Sequence, residues 1–333
     1  MALGLKLNTI LGAIALATLP GALSAQGKPQ YGGQLSIGTP YLTIAALSWD
    51  SADFNWKHNV DTGLVYEQLF AGDLRKSKRN GGKYPFYADA WIHPDALRGE
   101  LAEKWEFKQN PMRVEVQLRK GVMFPAKAGV MEARELTAED IVYSYERLAK
   151  SPKKIANYFD HVDKVEATGK HTVVFHFNSY NAEWDYRFGW GYYSAIIPKE
   201  VVEKGANNWK NVNGTGPYAL SDYVQGNSFT FTKNPIYWDK EVIDGQSYKL
   251  PFADKIVYRT IKDEATWLTA LRTGKLDVLE AVRWSAVPEL KKSAPQLKWS
   301  RWLAMTSTYL AMRMDQKPFD DIRVRRAMNL AIN

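Results

Sequence analysis

The feature that most constrains this chain is the way two periodicities interleave along it. Leu35 and Ile37 alternate with polar neighbours, as in a strand. Arg113 to Arg119 alternates as cleanly. Leu101 to Phe107 supplies a partner strand, with Asn110-Pro111 as the turn between them. One face of that pair is expected to be buried and the other wet. Val162–Val165 and Thr172–Phe177 repeat the arrangement around Gly169, and Phe229-Thr230-Phe231 centres a further strand set. Elsewhere the period is helical. Ile141, Tyr145 and Leu148 follow Thr137, which can cap the first turn while Asp140 answers as a capping-box acid. Asp263–Arg272 is a second helix, with Gly274 placed to end it. Leu64–Phe70 is expected to be another, packing into the core, and Leu276–Leu279 returns to strand. Without a strict βαβ rhythm, this order predicts an α/β protein of the mixed α+β kind, not one doubly wound sheet.

At about 150 residues per domain, 333 residues suggest two or three domains. Apolar residues make up 45% and charged residues 24%, which suits a folded core and argues against disorder. Cysteine is absent, which excludes disulfide scaffolds, cysteine nucleophiles, thiolate zinc sites and a lipid anchor on an N-terminal cysteine. The formal net charge is +8, yet the densest basic run (Arg75, Lys76, Lys78, Arg79 and Lys83) is mixed with Asn80, Gly81 and Gly82. It reads as a solvated loop and not as a nucleic-acid surface.

Residues 1–25 have the layout of an export signal. Lys6 precedes an apolar stretch from Leu7 to Leu19, Pro20 and Gly21 break it, and Leu23-Ser24-Ala25 puts a small residue, Ala25, at the cut with the larger Leu23 two positions before it. The stretch is shorter than the roughly 20 residues a bilayer requires. Cleavage and release into a Gram-negative periplasm are therefore expected.

Catalytic signatures are missing from the sequence. There is no Gly-x-Ser-x-Gly elbow, no Walker loop and no His-Glu-x-x-His helix. His58, His93, His161, His171 and His176 lack the spacing that places two metal ligands on one helix face. Gly214-Thr215-Gly216-Pro217-Tyr218-Ala219 fits a dinucleotide pattern in letters only. Pro217 and a strand-like stretch follow where a helix is required, so the glycines read as a tight backbone crossing. Glu139-Asp140 and Asp320-Asp321 read as charges at helix N-termini. No cofactor is called for.

Several segments, in order, resemble the extracellular solute-binding proteins of peptide ABC importers, the oligopeptide/dipeptide type. They are Leu64–Phe70, Leu101–Glu106, Leu118–Phe124, Leu136–Ser144, Gly214–Tyr218, Asn234–Trp238 and Lys317–Arg325. Pro125-Ala126-Lys127-Ala128 departs from the family's usual His-Asp-Gly after the third segment. The resemblance implies a two-lobed periplasmic binding protein of type II, closing on its ligand by a hinge. Residues 26–62 plus 212–285 would form the first lobe, 63–211 an inserted smaller domain, and 286–333 the start of a second lobe. Relatives continue further, and the chain stops within a helical pattern carried by Ala327, Leu330 and Ala331. A fragment missing most of its second lobe is therefore expected, leaving an exposed apolar surface.

The implied function is capture of oligopeptides or dipeptides and delivery to an ABC permease and ATPase complex of the inner membrane, by a monomer without enzymatic activity. Oligosaccharide binding is the alternative, because the chain has 12 Trp, 18 Tyr and 13 Phe whose flat faces can stack on sugars. An exported hydrolase is the third reading. Two segments are candidates for the ligand cleft: Tyr41 to Trp49, after the first strand, and Trp190-Gly191-Tyr192-Tyr193. The site residues proposed are Tyr41, Trp49, Trp190, Tyr192 and Tyr193, against the alternative that these rings pack the core.

Overall fold

The computed structural model describes residues 28–39, 48–53, 62–86, 92–191, 193–279, 282–301 and 310–332. The expected export segment lies outside them. The strands, in chain order, are β1 (Gln34–Thr39), β2 (Phe70–Gly72), β3 (Leu97–Gly99), β4 (Ala102–Gln109), β5 (Met112–Leu118), β6 (Met123–Phe124), β7 (Arg134–Glu135), β8 (Val162–Gly169), β9 (Thr172–Phe177), β10 (Tyr218–Val224), β11 (Ser228–Lys233), β12 (Lys240–Ile243), β13 (Gln246–Lys249), β14 (Lys255–Thr260) and β15 (Val278–Leu279). The helices are α1 (Ala138–Ala149), α2 (Lys199–Glu203), α3 (Glu264–Arg272), α4 (Val287–Ser293) and α5 (Ile322–Ala331).

Two sheets organise the molecule. One has the order β10-β11-β14-β1-β15, and the other is the antiparallel β4-β5-β9-β8. In the second, period-2 alternation sends Val114, Val116 and Leu118 of β5 inward, opposite Phe175 and Val173 of β9. Helix α1 covers that face with Ile141, Tyr145 and Leu148. Phe188 stacks on Phe175 at 4.1 Å between centroids. Burying each such side chain contributes about 1.5–3 kcal/mol. The start of α1 is fixed locally: Asp140 accepts from the Thr137 amide at 2.9 Å. Arg134 then bridges Asp140 and Glu200, tying α1 to α2.

In the first sheet, β1 lies parallel to both β14 and β15. Phe229, Phe231 and Ile256 point from this sheet into the same apolar cluster as Val114 and Phe175, so the two sheets share a core. The opposite face is covered by α3 through Trp267 and Leu271, with Leu276. Asp263 caps α3 and Gly274 (φ +69°) takes the left-handed turn that ends it, as the sequence predicts.

One expectation is corrected. Leu64–Phe70 is not a helix. A single turn at 62–65 leads into extended chain and β2. Its side chains are buried as expected, but its backbone groups are claimed by other segments. Val65 O accepts from Gly216, Leu64 O from Tyr218, and Glu67 O from Ile196. The Gly214–Gly216 crossing is real: a Cβ on Gly214 would lie 2.2 Å from Val65 O, and one on Gly216 2.6 Å from Leu64 O.

Candidate ligand-binding edge

Ligands of open α/β sheets settle beyond the carboxyl ends of parallel strands. Here those ends belong to β1, β14 and β15. Thr39 pairs with Thr260, and Gly38 with Leu279. The Ile261 amide donates to Thr39 O, closing β14 onto β1. Asp277 and Ser36 exchange hydrogen bonds at the other end of β15, Ser36 N to Asp277 Oδ2 at 2.7 Å and Asp277 N to Ser36 O at 2.8 Å. β15 packs closely over Gly38: a Cβ there would come within 2.7 Å of the Leu276 side chain, which would have to shift. Residues 40–47, including candidate Tyr41, leave from this edge and lie outside the described residues.

The chain returns at Ser48, and its return is clamped. Arg147 of α1 donates to both carboxylate oxygens of Asp50, at 2.6 Å to Oδ1 and through Nη2 to Oδ2. Asp50 also accepts from the Ala52 amide. Ser151 donates to Ala52 O, and Lys153 to Asp53. Burial alone would lower the Arg147 guanidinium, but the Asp50 hydrogen bonds outweigh it and hold it above its ordinary value. Burial, then the Asp50 charge, pushes up the neighbouring Tyr66 phenol. The result is a neutralised, well-held strut between α1 and the chain that returns at Ser48.

Of the predicted site residues, Trp49 is 2% exposed and meets Tyr223 edge-on at 5.3 Å, so its ring is used in the core. Trp190 ends a π-helical turn over Tyr186–Trp190. Its indole donates to Asp185 at 3.4 Å and packs edge-on to Tyr186. Tyr193 is half-buried and packs on Tyr158. Tyr192 lies outside the described residues. Trp49 is part of the main apolar core, and Trp190 and Tyr193 pack against that core. Gly189 and Gly191 serve close packing, since a Cβ would lie 2.2 Å from the Phe70 ring and 2.4 Å from Tyr186 O respectively.

The sequence reading missed a buried acid. Glu67 is 1% exposed and accepts from the Trp238 indole at 3.0 Å and from the Tyr237 hydroxyl at 3.3 Å, with Thr215 as a further partner. An acid inside the apolar run Leu64–Phe70 was the available signal. Three of the described histidines have separate partners. His171 meets Glu135 at 3.0 Å, His176 meets Glu166 at 2.8 Å, and His93 accepts from the Asp95 amide. No acid or histidine cluster among the described residues could hold a metal ion. No helix among them is long and apolar enough to cross a membrane.

Residues 96–333 match the bacterial extracellular solute-binding proteins, family 5 Middle. The chain belongs to this family. Among similar proteins, di/tripeptide-binding protein 1 of Pseudomonas aeruginosa is 24% identical over 251 residues, 70% of this chain and 45% of that one. The probable ABC transporter periplasmic-binding protein SapA of Escherichia coli is 27% identical over 261 residues, 71% and 45% respectively. The chain thus spans less than half the length of the curated relatives it matches. Its fold is similar to that of a dipeptide-binding protein from Pseudoalteromonas sp. in complex with Met-Leu, with a TM-score of 0.66 at 20% identity, covering 90% of this chain and 57% of that one. It is also similar to a periplasmic binding protein of Helicobacter pylori in complex with the peptide STSA, with a TM-score of 0.61 at 23% identity, 79% and 49%. The mixed α/β periplasmic-binding-protein fold is therefore that of this chain.

Proposed function

We propose that this family 5 chain is part of the substrate-binding component of an ABC importer, and that it captures dipeptides or oligopeptides for a membrane permease and its ATPase. The family match over residues 96–333 is the observation that carries the reading. The carboxyl edge of β1, β14 and β15, with the clamped return at Asp50, is the surface assigned to the ligand. Tyr41 remains the candidate contact from the segment between them. Residues 26–62 plus 212–285 act as a first lobe, 63–211 as an inserted domain, and 286–333 as the start of a second lobe. The role is binding, as a periplasmic monomer released by cleavage after Ala25. Such a receptor holds its ligand by contacts made in the closed state, which requires no reacting group.

Oligosaccharide binding is kept as a second reading, because a structurally similar protein of Thermotoga maritima is described with mannohexaose bound (TM-score 0.55). Growth separates the two. A strain deleted for the encoding gene should lose growth on an essential amino acid supplied as a dipeptide or short peptide, while keeping growth on the free amino acid. Loss of growth on an oligosaccharide with unchanged peptide use would overturn the peptide reading.

A further inference from the structure

We propose that Glu67 holds a proton at neutral pH, and that this proton keeps the Leu64–Leu69 segment bound to the Gly214–Tyr218 crossing. Burial and the neighbouring Glu100 charge favour a neutral group, and they outweigh the hydrogen bonds from Thr215, Trp238 and Tyr237, which favour the carboxylate. The carboxyl is buried, and its hydrogen-bond partners Trp238, Tyr237 and Thr215 are all uncharged. The charge that acts on it comes from a second acid, Glu100, across the joint. An isolated carboxylate in so dry a place is far more costly than its protonated form. Protonated, Glu67 can accept from the Trp238 indole on one oxygen and donate from the other to the Thr215 hydroxyl.

The surroundings are polar but give Glu67 no counter-charge. Glu100 accepts from the Gln68 amide at 2.9 Å. Arg98, which acts on Glu100, is paired with Asp239 at 3.2 Å. Arg119 lies over the Trp238 ring and donates to Glu100 O at 2.7 Å. Tyr237 is the remaining titratable group facing the acid. Burial, then the Glu100 charge, holds Glu67 above the ordinary carboxylate range, and burial does the same to Glu100 against the pull of Arg98. Both acids sit where four separate segments meet: 64–69, 97–102, 213–218 and 234–239. Ionising Glu67 places like charges together in that joint, beside the amides of Gly216 and Tyr218 that bind Val65 O and Leu64 O. The joint is thus a proton-dependent latch.

The test compares the full chain with its Glu67→Gln variant, which keeps the shape and can keep the same partners. The infrared spectrum at pH 7 should contain a protonated-carboxylic-acid stretch that loses intensity in the variant, any remainder coming from the likewise raised Glu100. As pH rises from the ordinary carboxylate range, the unfolded chain ionises Glu67 and the folded chain does not, so wild-type stability falls until the folded acid ionises. The variant should lack that part of the fall, so its melting temperature should gain on the wild type as pH rises. Hydrogen exchange at Gly216 and Tyr218 should lose protection at alkaline pH in the wild type alone. Where Glu67→Gln folds poorly, the infrared band of the wild type decides, compared with Glu100→Gln, which should make Glu67 lose its proton at lower pH. No protonated-acid band at pH 7, or parallel pH–stability curves for wild type and Glu67→Gln, would overturn the proposal.

Discussion

Arg147 grips Asp50 with two parallel hydrogen bonds, so that helix α1 holds the segment returning from the carboxyl edge of β1. Both side chains are largely buried. Arg147→Met should therefore strand a carboxylate with little water to replace its partner. The expected loss is about 1.5–3 kcal/mol in urea unfolding, the range for hydrogen bonds to charged groups. Adding Asp50→Asn should recover part of that loss, because the stranded charge goes with it. Lys153→Met should cost less than about 1 kcal/mol, because Lys153 reaches Asp53 from solvent. Equal stability of wild type and Arg147→Met would remove the clamp as a structural element.

Gly214 has ordinary backbone angles, and its constraint is space. A methyl group there meets the carbonyl of Val65, which already accepts from Gly216. Neither group can move without opening the crossing. Gly214→Ala should destabilise by about 1–3 kcal/mol, as overpacking does in a filled core. Gly121, by contrast, has φ +73° with nothing within 4 Å of a Cβ. Gly121→Asn should cost little, because Asn tolerates the left-handed region. Thermal unfolding of both variants checks the contrast, and equal losses would refute it.

What the sequence made legible was local. Thr137 and Asp140 lie three residues apart and specify the start of α1 by themselves, and period-2 alternation specifies β5 and β9 through their own side chains. Leu64–Phe70 was misread for the opposite reason. Its spacing suits a helix, but Val65, Leu64 and Gln68 spend their backbone groups on Gly216, Tyr218 and Glu100, which no local pattern contains. The acid of the Glu67 site stands out in its apolar run, but the site itself does not, since its partners come from residues 215, 237 and 238. Aromatic content alone did not separate a core ring such as Trp49 from one able to meet a ligand.

His161 is buried against Phe177, and neither ring nitrogen has a hydrogen-bond partner among the described residues. Burial, then the positive charge of Arg187, pushes it down to about 4. The folded protein keeps the ring neutral while the unfolded chain takes up a proton below about 6.5. Stability from this group is therefore complete above about 6.5 and is lost as pH falls toward 4. His161→Leu should shrink the difference in urea midpoint between pH 7 and pH 4.5. An unchanged difference would exclude His161 from the acid response.

The later part of the chain presents apolar side chains to solvent. Trp284 is 71% exposed and Leu330 85%, with Leu310, Met314 and Ile322 also uncovered. Helix α5 contributes no buried residue. Apolar exposure at this many positions favours association where the residues form a patch. The chain in solution should bind a hydrophobic dye and self-associate as concentration rises. Leu330→Glu with Met314→Glu should reduce both effects in dye titration and light scattering. Because neither side chain packs in a core, the same substitutions should shift stability by no more than about 0.5 kcal/mol. A monomeric, dye-silent wild type would show that these residues do not act as a sticky face, and a large stability loss would show that they pack against something.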